Sequence, residues 1–231
     1  MTSLVLLPGL DGTATLLSAF IECVRPTFDT VEALSYPPDQ PLDYAGLEST
    51  VRQALPRSRP FVLLGESFSG PLALSIAARP PPNLTGLVLS TTFARNPVLP
   101  LRPFASLTRF APVRRLPLPL ISWWLLGQWA TPELKTALHA AILAVEPAVL
   151  RARAAAALRA DVTDRLSQIS VPVLCLHATK DRLLFPNTGR SLPAALAQAS
   201  VVDIVAPHLL LQTEPAAAAR AIAGFAAKLG G

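Results

Sequence analysis

Charge is thin in this sequence: 15% of its 231 residues are Asp, Glu, Lys or Arg, and there are only three histidines, two cysteines and one methionine. Each shortage closes off a class of function. A chain so poor in charge, with 51% hydrophobic residues, buries a large core instead of staying disordered. Cys23 and Cys175 show no C-x-x-C spacing, so they form neither a disulfide framework nor a metal cluster, and both are expected as buried free thiols in a reducing compartment. No glycine-rich stretch runs into Gly-Lys-Ser/Thr, which removes a phosphate loop. The net charge of +5 comes mostly from arginine scattered among alanine, proline and leucine. No basic run interleaved with aromatics supports a nucleic-acid surface. The most membrane-like stretch, residues 116–130, is broken by Pro117 and Pro119 and falls short of a span. Met1 leads straight into an apolar run and Pro8-Gly9 with no basic leader, so the expected location is the cytoplasm. Nothing in the composition implies a metal or an organic cofactor.

What is present is a rhythm. Six short apolar runs, at residues 4–7, 31–34, 61–64, 87–89, 171–176 and 201–205, read as strands, and most are followed by a stretch with helical spacing. Strands that are continuously apolar and separated by helices belong to a parallel sheet covered on both faces. The expected class is α/β, a doubly wound, mostly parallel sheet of about six strands. Asp43 is placed to cap the second helix, which carries Leu47, Val51 and Leu55 on one side. The rhythm breaks after the fourth strand. Residues 95–165 hold helical patterns, among them Pro132-Glu133 after Thr131 and the alanine-rich stretch 152–160, but no strand. The expected organisation is a core of residues 1–94 and 166–231 with a helical cap, 95–165, inserted over the ligand crevice.

Gly65-Glu66-Ser67-Phe68-Ser69-Gly70 lies between the third strand and a helix beginning near Pro71. Small residues around a serine at a strand-to-helix turn describe a nucleophile elbow, in which the tight turn pushes the serine out at the carboxyl end of the sheet. The second glycine of that motif is here Ser69. A serine hydroxyl needs a base to take its proton, and the base needs a third group to hold it. His208 follows the last strand directly, whereas His139 falls in the insertion and His177 inside the fifth strand. Asp181 follows the fifth strand in the same way, while Asp161 and Asp164 precede it and are expected toward the opposite end of the sheet. Ser67, Asp181 and His208 thus occur in the chain order of an α/β-hydrolase, each on a loop after a strand.

On these residues the sequence resembles the α/β-hydrolase superfamily, over nearly all of its length apart from the insertion. Its layout is similar to small bacterial pimeloyl-carrier-protein methyl ester esterases. The opening Leu7-Pro8-Gly9-Leu10-Asp11-Gly12-Thr13 also resembles phytyl ester synthase-like proteins. Many members have His-Gly at the position of Pro8-Gly9, and two N-terminal strands usual in the family are missing. The resemblance implies a Ser67–His208–Asp181 triad and an oxyanion hole from the backbone amides of Leu10 and Phe68. Asp11 is assigned to the turn and not to the chemistry.

Trp123, Trp124 and Trp129 cluster in the insertion. They suit either the wall of an acyl pocket, with Trp123 and Trp124 touching substrate, or the packing of the insertion itself. No acidic residue lies between Glu66 and Glu133, while Arg79, Arg95, Arg102, Arg109, Arg114 and Arg115 do. Such arginines fit a solvated rim, or a dock for coenzyme A phosphates or an acyl carrier protein. The expected activity is a serine hydrolase acting on carboxylic esters. The alternatives are a thioesterase or carrier-protein methyl ester esterase docking through those arginines, and a non-catalytic binding module on the same fold.

Overall fold

The computed structural model describes residues 2–96, 105, 107–108, 111, 117–184 and 191–229. Its centre is a six-stranded sheet, every adjacent pair parallel. The strands are β1 (Ser3–Leu7), β2 (Thr30–Ala33), β3 (Phe61–Glu66), β4 (Leu84–Ser90), β5 (Val173–Ala178) and β6 (Ala199–Ile204), in the spatial order β2-β1-β3-β4-β5-β6. All six expected strands are present. The continuous apolar runs of β1, β3, β4 and β5 are explained by what covers them, because successive side chains point to opposite faces and both faces are buried, whereas the edge strands β2 and β6 are partly exposed. Val5, Leu7, Leu63, Leu87, Leu89 and Val173 enter one core. Leu4, Leu6, Val62, Leu64, Val88 and Leu174 enter the other.

Helices α1 (Ser18–Val24), α2 (Tyr44–Ala54) and α3 (Gly70–Ala78) follow β1, β2 and β3 in turn. The Asp43 carboxylate accepts from the Gly46 N–H at 2.9 Å, the N-cap expected from sequence. Between β4 and β5 the described residues form α4 (Leu118–Leu125), α5 (Pro132–Leu143) and α6 (Pro147–Arg159), with a single isolated bridge between Arg95 and Asp161. Thr131 caps α5 through the Leu134 N–H. Helix α7 (Pro215–Leu229) closes the chain and packs on α1. Among the described residues no helix is long and apolar enough to cross a membrane.

The structure corrects two expectations. Cys175 is buried, but Cys23 is exposed. Helix α1 buries Phe20 and Val24, and Cys23 stands off the stripe that those two positions define. Asp161 lies beside Arg95, which follows β4, at 3.2 Å, and therefore not at the opposite edge of the sheet.

The sharpest steric demand falls where α3 meets the end of β4. A side chain added at Gly70 would place its Cβ 1.8 Å from the Thr92 hydroxyl oxygen and 2.6 Å from two Thr92 carbons. Thr92 sits in the segment after β4 and cannot withdraw without moving the strand end. Gly70→Ala is expected to destabilise the protein by about 1–3 kcal/mol. Gly224→Ala, on the exposed side of α7 with nothing within 4 Å, is expected to stabilise it by about 0.5–1 kcal/mol. Urea midpoints of the two variants against the parent check both, and a neutral Gly70→Ala would contradict the packing.

Candidate active site

The end of β3 is built to turn hard. Ser67 takes a left-handed backbone with φ of 47°, rare for a residue with a side chain, and a short 3-10 turn, Ser67–Ser69, leads into α3. The neighbours make room for this. A Cβ on Gly65 would come within 2.7 Å of the Ala73 Cβ and 2.9 Å of the Ser69 carbonyl. The Thr92 hydroxyl donates to the Ser67 carbonyl and ties the turn to the segment after β4. The result is the geometry of a nucleophile elbow.

Three loops deliver the expected side chains to one place. The Ser67 hydroxyl lies 2.7 Å from His208 Nε2, and His208 Nδ1 lies 2.8 Å from Asp181 Oδ2. His208 is 2% exposed. The other Asp181 oxygen accepts the N–H groups of Leu183 and Leu184 at 2.8 and 3.0 Å. Burial alone would push the Asp181 carboxyl up. The facing His208 and the two amides outweigh it and hold its pKa below the usual carboxylate value. An ionised Asp181 on Nδ1 leaves Nε2 as the imidazole atom free to accept a proton from Ser67.

The loop after β1 lies alongside. Gly9–Gly12 form a turn closed by the Gly12 N–H on the Gly9 carbonyl at 3.0 Å. Asp11 accepts the Thr13 N–H and hydroxyl, which is the turn role expected of it. Among the described residues nothing accepts from the N–H of Leu10 or of Phe68. Both remain donors for a ligand.

Several residues of this site went unrecognised in the sequence. Ser69, in the position of a motif glycine, is wholly buried and its hydroxyl donates to the Pro8 carbonyl. It is in turn bonded to the Tyr36 hydroxyl at 2.5 Å. Tyr44 donates to the Phe68 carbonyl at 2.8 Å and stacks on the Phe68 ring at 4.9 Å. Glu66 is buried beside Ser67, receiving the Gln212 amide at 2.9 Å, with the Gly9 main chain close by. The one available signal for Glu66 was its lone charge between an apolar strand and the motif serine. His139 and His177 stay apart from the cluster: His139 lines a cavity on the insertion, and His177 bonds Asp203 at 2.8 Å across β5 and β6.

The structure does not bring the tryptophans into this cluster. Trp123 and Trp124 are 53% and 45% exposed. Trp123 lies under the Arg182 guanidinium, 4.5 Å from the ring centre, at a cavity of about 490 Å³ shared with Pro119, Lys135 and His139. Trp129 donates to Glu214. Of the arginines considered as a dock, Arg102, Arg109, Arg114 and Arg115 lie outside the described residues. Arg79 ends α3 at the far edge of the sheet, paired with Glu48, and Arg95 pairs with Asp161. Among the described residues no group of His, Cys, Asp and Glu is arranged to hold a metal ion.

Residues 42–210 match the family model described as serine aminopeptidase, S33. Comparison with curated protein sequences finds no match. Among solved structures, a hydrolase from Pseudomonas aeruginosa superposes with a TM-score of 0.81 at 21% identity, covering 97% of this chain and 89% of that one. An enol-lactonase from Burkholderia xenovorans gives 0.78 at 20%, covering 97% and 90%. An esterase from Exiguobacterium antarcticum gives 0.82 at 16%, covering 98% and 92%. At these identities the likeness is one of fold.

Glu66 makes the site's stability depend on pH. Burial is the main cause that lifts its pKa from 4.5 to about 7, against the lowering effect of the Gln212 hydrogen bond. Between those values the folded chain keeps a proton that the unfolded chain has released. Stability therefore falls as pH rises from about 4.5 to 7, by roughly 3 kcal/mol in all. Asp181 acts in the opposite sense, since its lowered pKa gives stability above the usual carboxylate value that is lost in stronger acid. Glu66→Gln keeps an acceptor for Gln212 and removes the titration. Urea unfolding from pH 5 to 8 is expected to show a decline in the parent that the variant lacks. Parallel declines would refute the assignment to Glu66.

Proposed function

The chain belongs to the α/β-hydrolases, in the family described as serine aminopeptidase, S33, and from that premise we propose that it is a serine hydrolase cleaving carboxylic esters through an acyl-enzyme on Ser67. One observation carries the reading: the unbroken line from Ser67 through His208 to Asp181, at 2.7 and 2.8 Å. As Ser67 attacks the ester carbonyl, its proton passes to His208 Nε2, and Asp181 stabilises the imidazolium that forms. The oxyanion is met by the N–H groups of Leu10 and Phe68. His208 returns the proton to the leaving alcohol, and water, activated by the same histidine, releases the acid. The helical insertion acts as a cap over this edge.

The carboxylates around Ser67 favour an ester over an amino-terminal peptide. Binding a substrate ammonium takes a carboxylate with a free face near the nucleophile. Asp181 is committed to His208, Glu66 to Gln212, and Asp11 is turned onto Thr13.

Ser67→Ala and His208→Ala are each expected to lower kcat on aryl esters by on the order of 10⁴ to 10⁶-fold without loss of folding. A fluorophosphonate should label the parent at Ser67 and leave Ser67→Ala unlabelled. A panel of aryl esters, acyl thioesters and aminoacyl amides of rising acyl length, run on parent and variant together, reads substrate class at the same time. Near-normal turnover by Ser67→Ala, or turnover confined to the aminoacyl amides, would overturn the proposal.

A further inference from the structure

Arg153 stands on α6, in the insertion, yet its guanidinium ends against the loop after β1. It is 1% exposed. Nη1 donates to the carbonyls of Leu10 at 3.2 Å and Asp11 at 2.6 Å, and Nη2 donates to the carbonyl of Pro37 at 3.0 Å. The group also lies over the Tyr36 ring, 5.5 Å from its centre. Among the described residues no carboxylate forms an ion pair with it. A buried charge with no carboxylate in direct contact, only the Asp11 charge nearby, is costly unless its hydrogen bonds are met. Here main-chain carbonyls meet them, which they can do only while the loop holds one conformation. Gly12 completes the fit: at φ of 68° it has no side chain, and a Cβ there would lie 2.5 Å from Nη1.

The carbonyls around Leu10 are all engaged. Pro8 accepts from Ser69, Gly9 from the Gly12 N–H, Leu10 and Asp11 from Arg153, and Gly12 from the Tyr36 N–H at 2.8 Å. Fixing the peptide planes on each side of a residue fixes the direction of its own N–H. The Leu10 N–H, like that of Asp11 beside it, is left without an acceptor among the described residues.

We propose that Arg153 is a positioning residue, which from the insertion holds the Leu10 amide in place as a preformed oxyanion donor. The proposal rests on the acyl-enzyme reading of Ser67. It separates from a merely structural role because a preformed donor acts on the transition state more than on bound substrate. A lysine would bring charge without the planar fork that reaches several carbonyls at once.

The test compares Arg153→Met, Arg153→Lys and Ser69→Ala, the last loosening the loop from its other side with no change of charge. On a soluble aryl ester, with rates taken per folded molecule, kcat is expected to fall on the order of 10²-fold in Arg153→Met and about tenfold in Arg153→Lys, at KM within about threefold. The inhibition constant of an alkylboronic acid, whose adduct with Ser67 is tetrahedral, should rise by the same factors. If Arg153→Met does not fold, the other two variants carry both readouts. The proposal is overturned if KM rises while kcat stays, or if boronate affinity is unchanged. A parent enzyme that takes no fluorophosphonate sinks the acyl-enzyme reading alone. The clamp is then judged by amide exchange at Gly12 and Tyr36, which should quicken at least about tenfold in Arg153→Lys, and unchanged protection there removes it as well.

Discussion

The left-handed turn at Ser67 is the constraint on which the rest of the site depends. A serine at φ of 47° occupies a region that costs on the order of 1–3 kcal/mol and persists only where its surroundings impose it. The surroundings here are covalently distant but physically close: Gly65 against Ala73, Gly70 against Thr92, and the Thr92 hydroxyl on the Ser67 carbonyl. Because the turn is forced, the hydroxyl of Ser67 points away from α3 and toward His208. The strain is thus converted into placement, and α3 and the segment after β4 supply the groups that maintain it.

A second consequence is that polar main chain crowds together at one buried edge. Parallel strands end side by side there, and each following loop brings amides and carbonyls that need partners. Ser69 answers for the Pro8 carbonyl, Tyr44 for the Phe68 carbonyl and Arg153 for Leu10 and Asp11. These residues touch no reacting atom. They decide which backbone donors stay free, and with Glu66 the arrangement takes on a buried carboxylate whose charge is disfavoured near neutrality.

This division explains what the sequence disclosed. The strands were legible because a sheet buried on both faces writes itself as continuous apolar runs, and Ser67, Asp181 and His208 because each directly follows one. Residues that act through backbone left no such trace. Arg153 sits in Arg-Ala-Arg-Ala-Ala within an alanine-rich helix, where an arginine reads as a solvated face, and only the fold shows it to be buried. Ser69 read as a tolerated substitute for glycine, since size was the visible criterion and the hydroxyl's partners, Pro8 and Tyr36, are far off in the chain. The tryptophans left two readings open. Aromatic clustering signals a packing surface, but it does not say which side of a helix layer the surface is on, and Trp123 faces Arg182.

The insertion between β4 and β5 is therefore poorly described as an accessory. Arg182, next to Asp181, donates to the Trp123 carbonyl at 3.0 Å. Leu209, next to His208, donates its N–H to the Leu125 carbonyl at 3.1 Å and packs with Leu126 and Leu138. Leu10 and Asp11 are held by Arg153. Three loops of the site are each tied to the insertion at or beside the residue that matters, whereas Ser67 is held by the sheet and α3. A shift of α4 and α6 relative to the sheet would move Asp181, His208 and Leu10 together against Ser67. Such coupling makes the line from Ser67 to Asp181 a property of how the insertion and the sheet seat on each other.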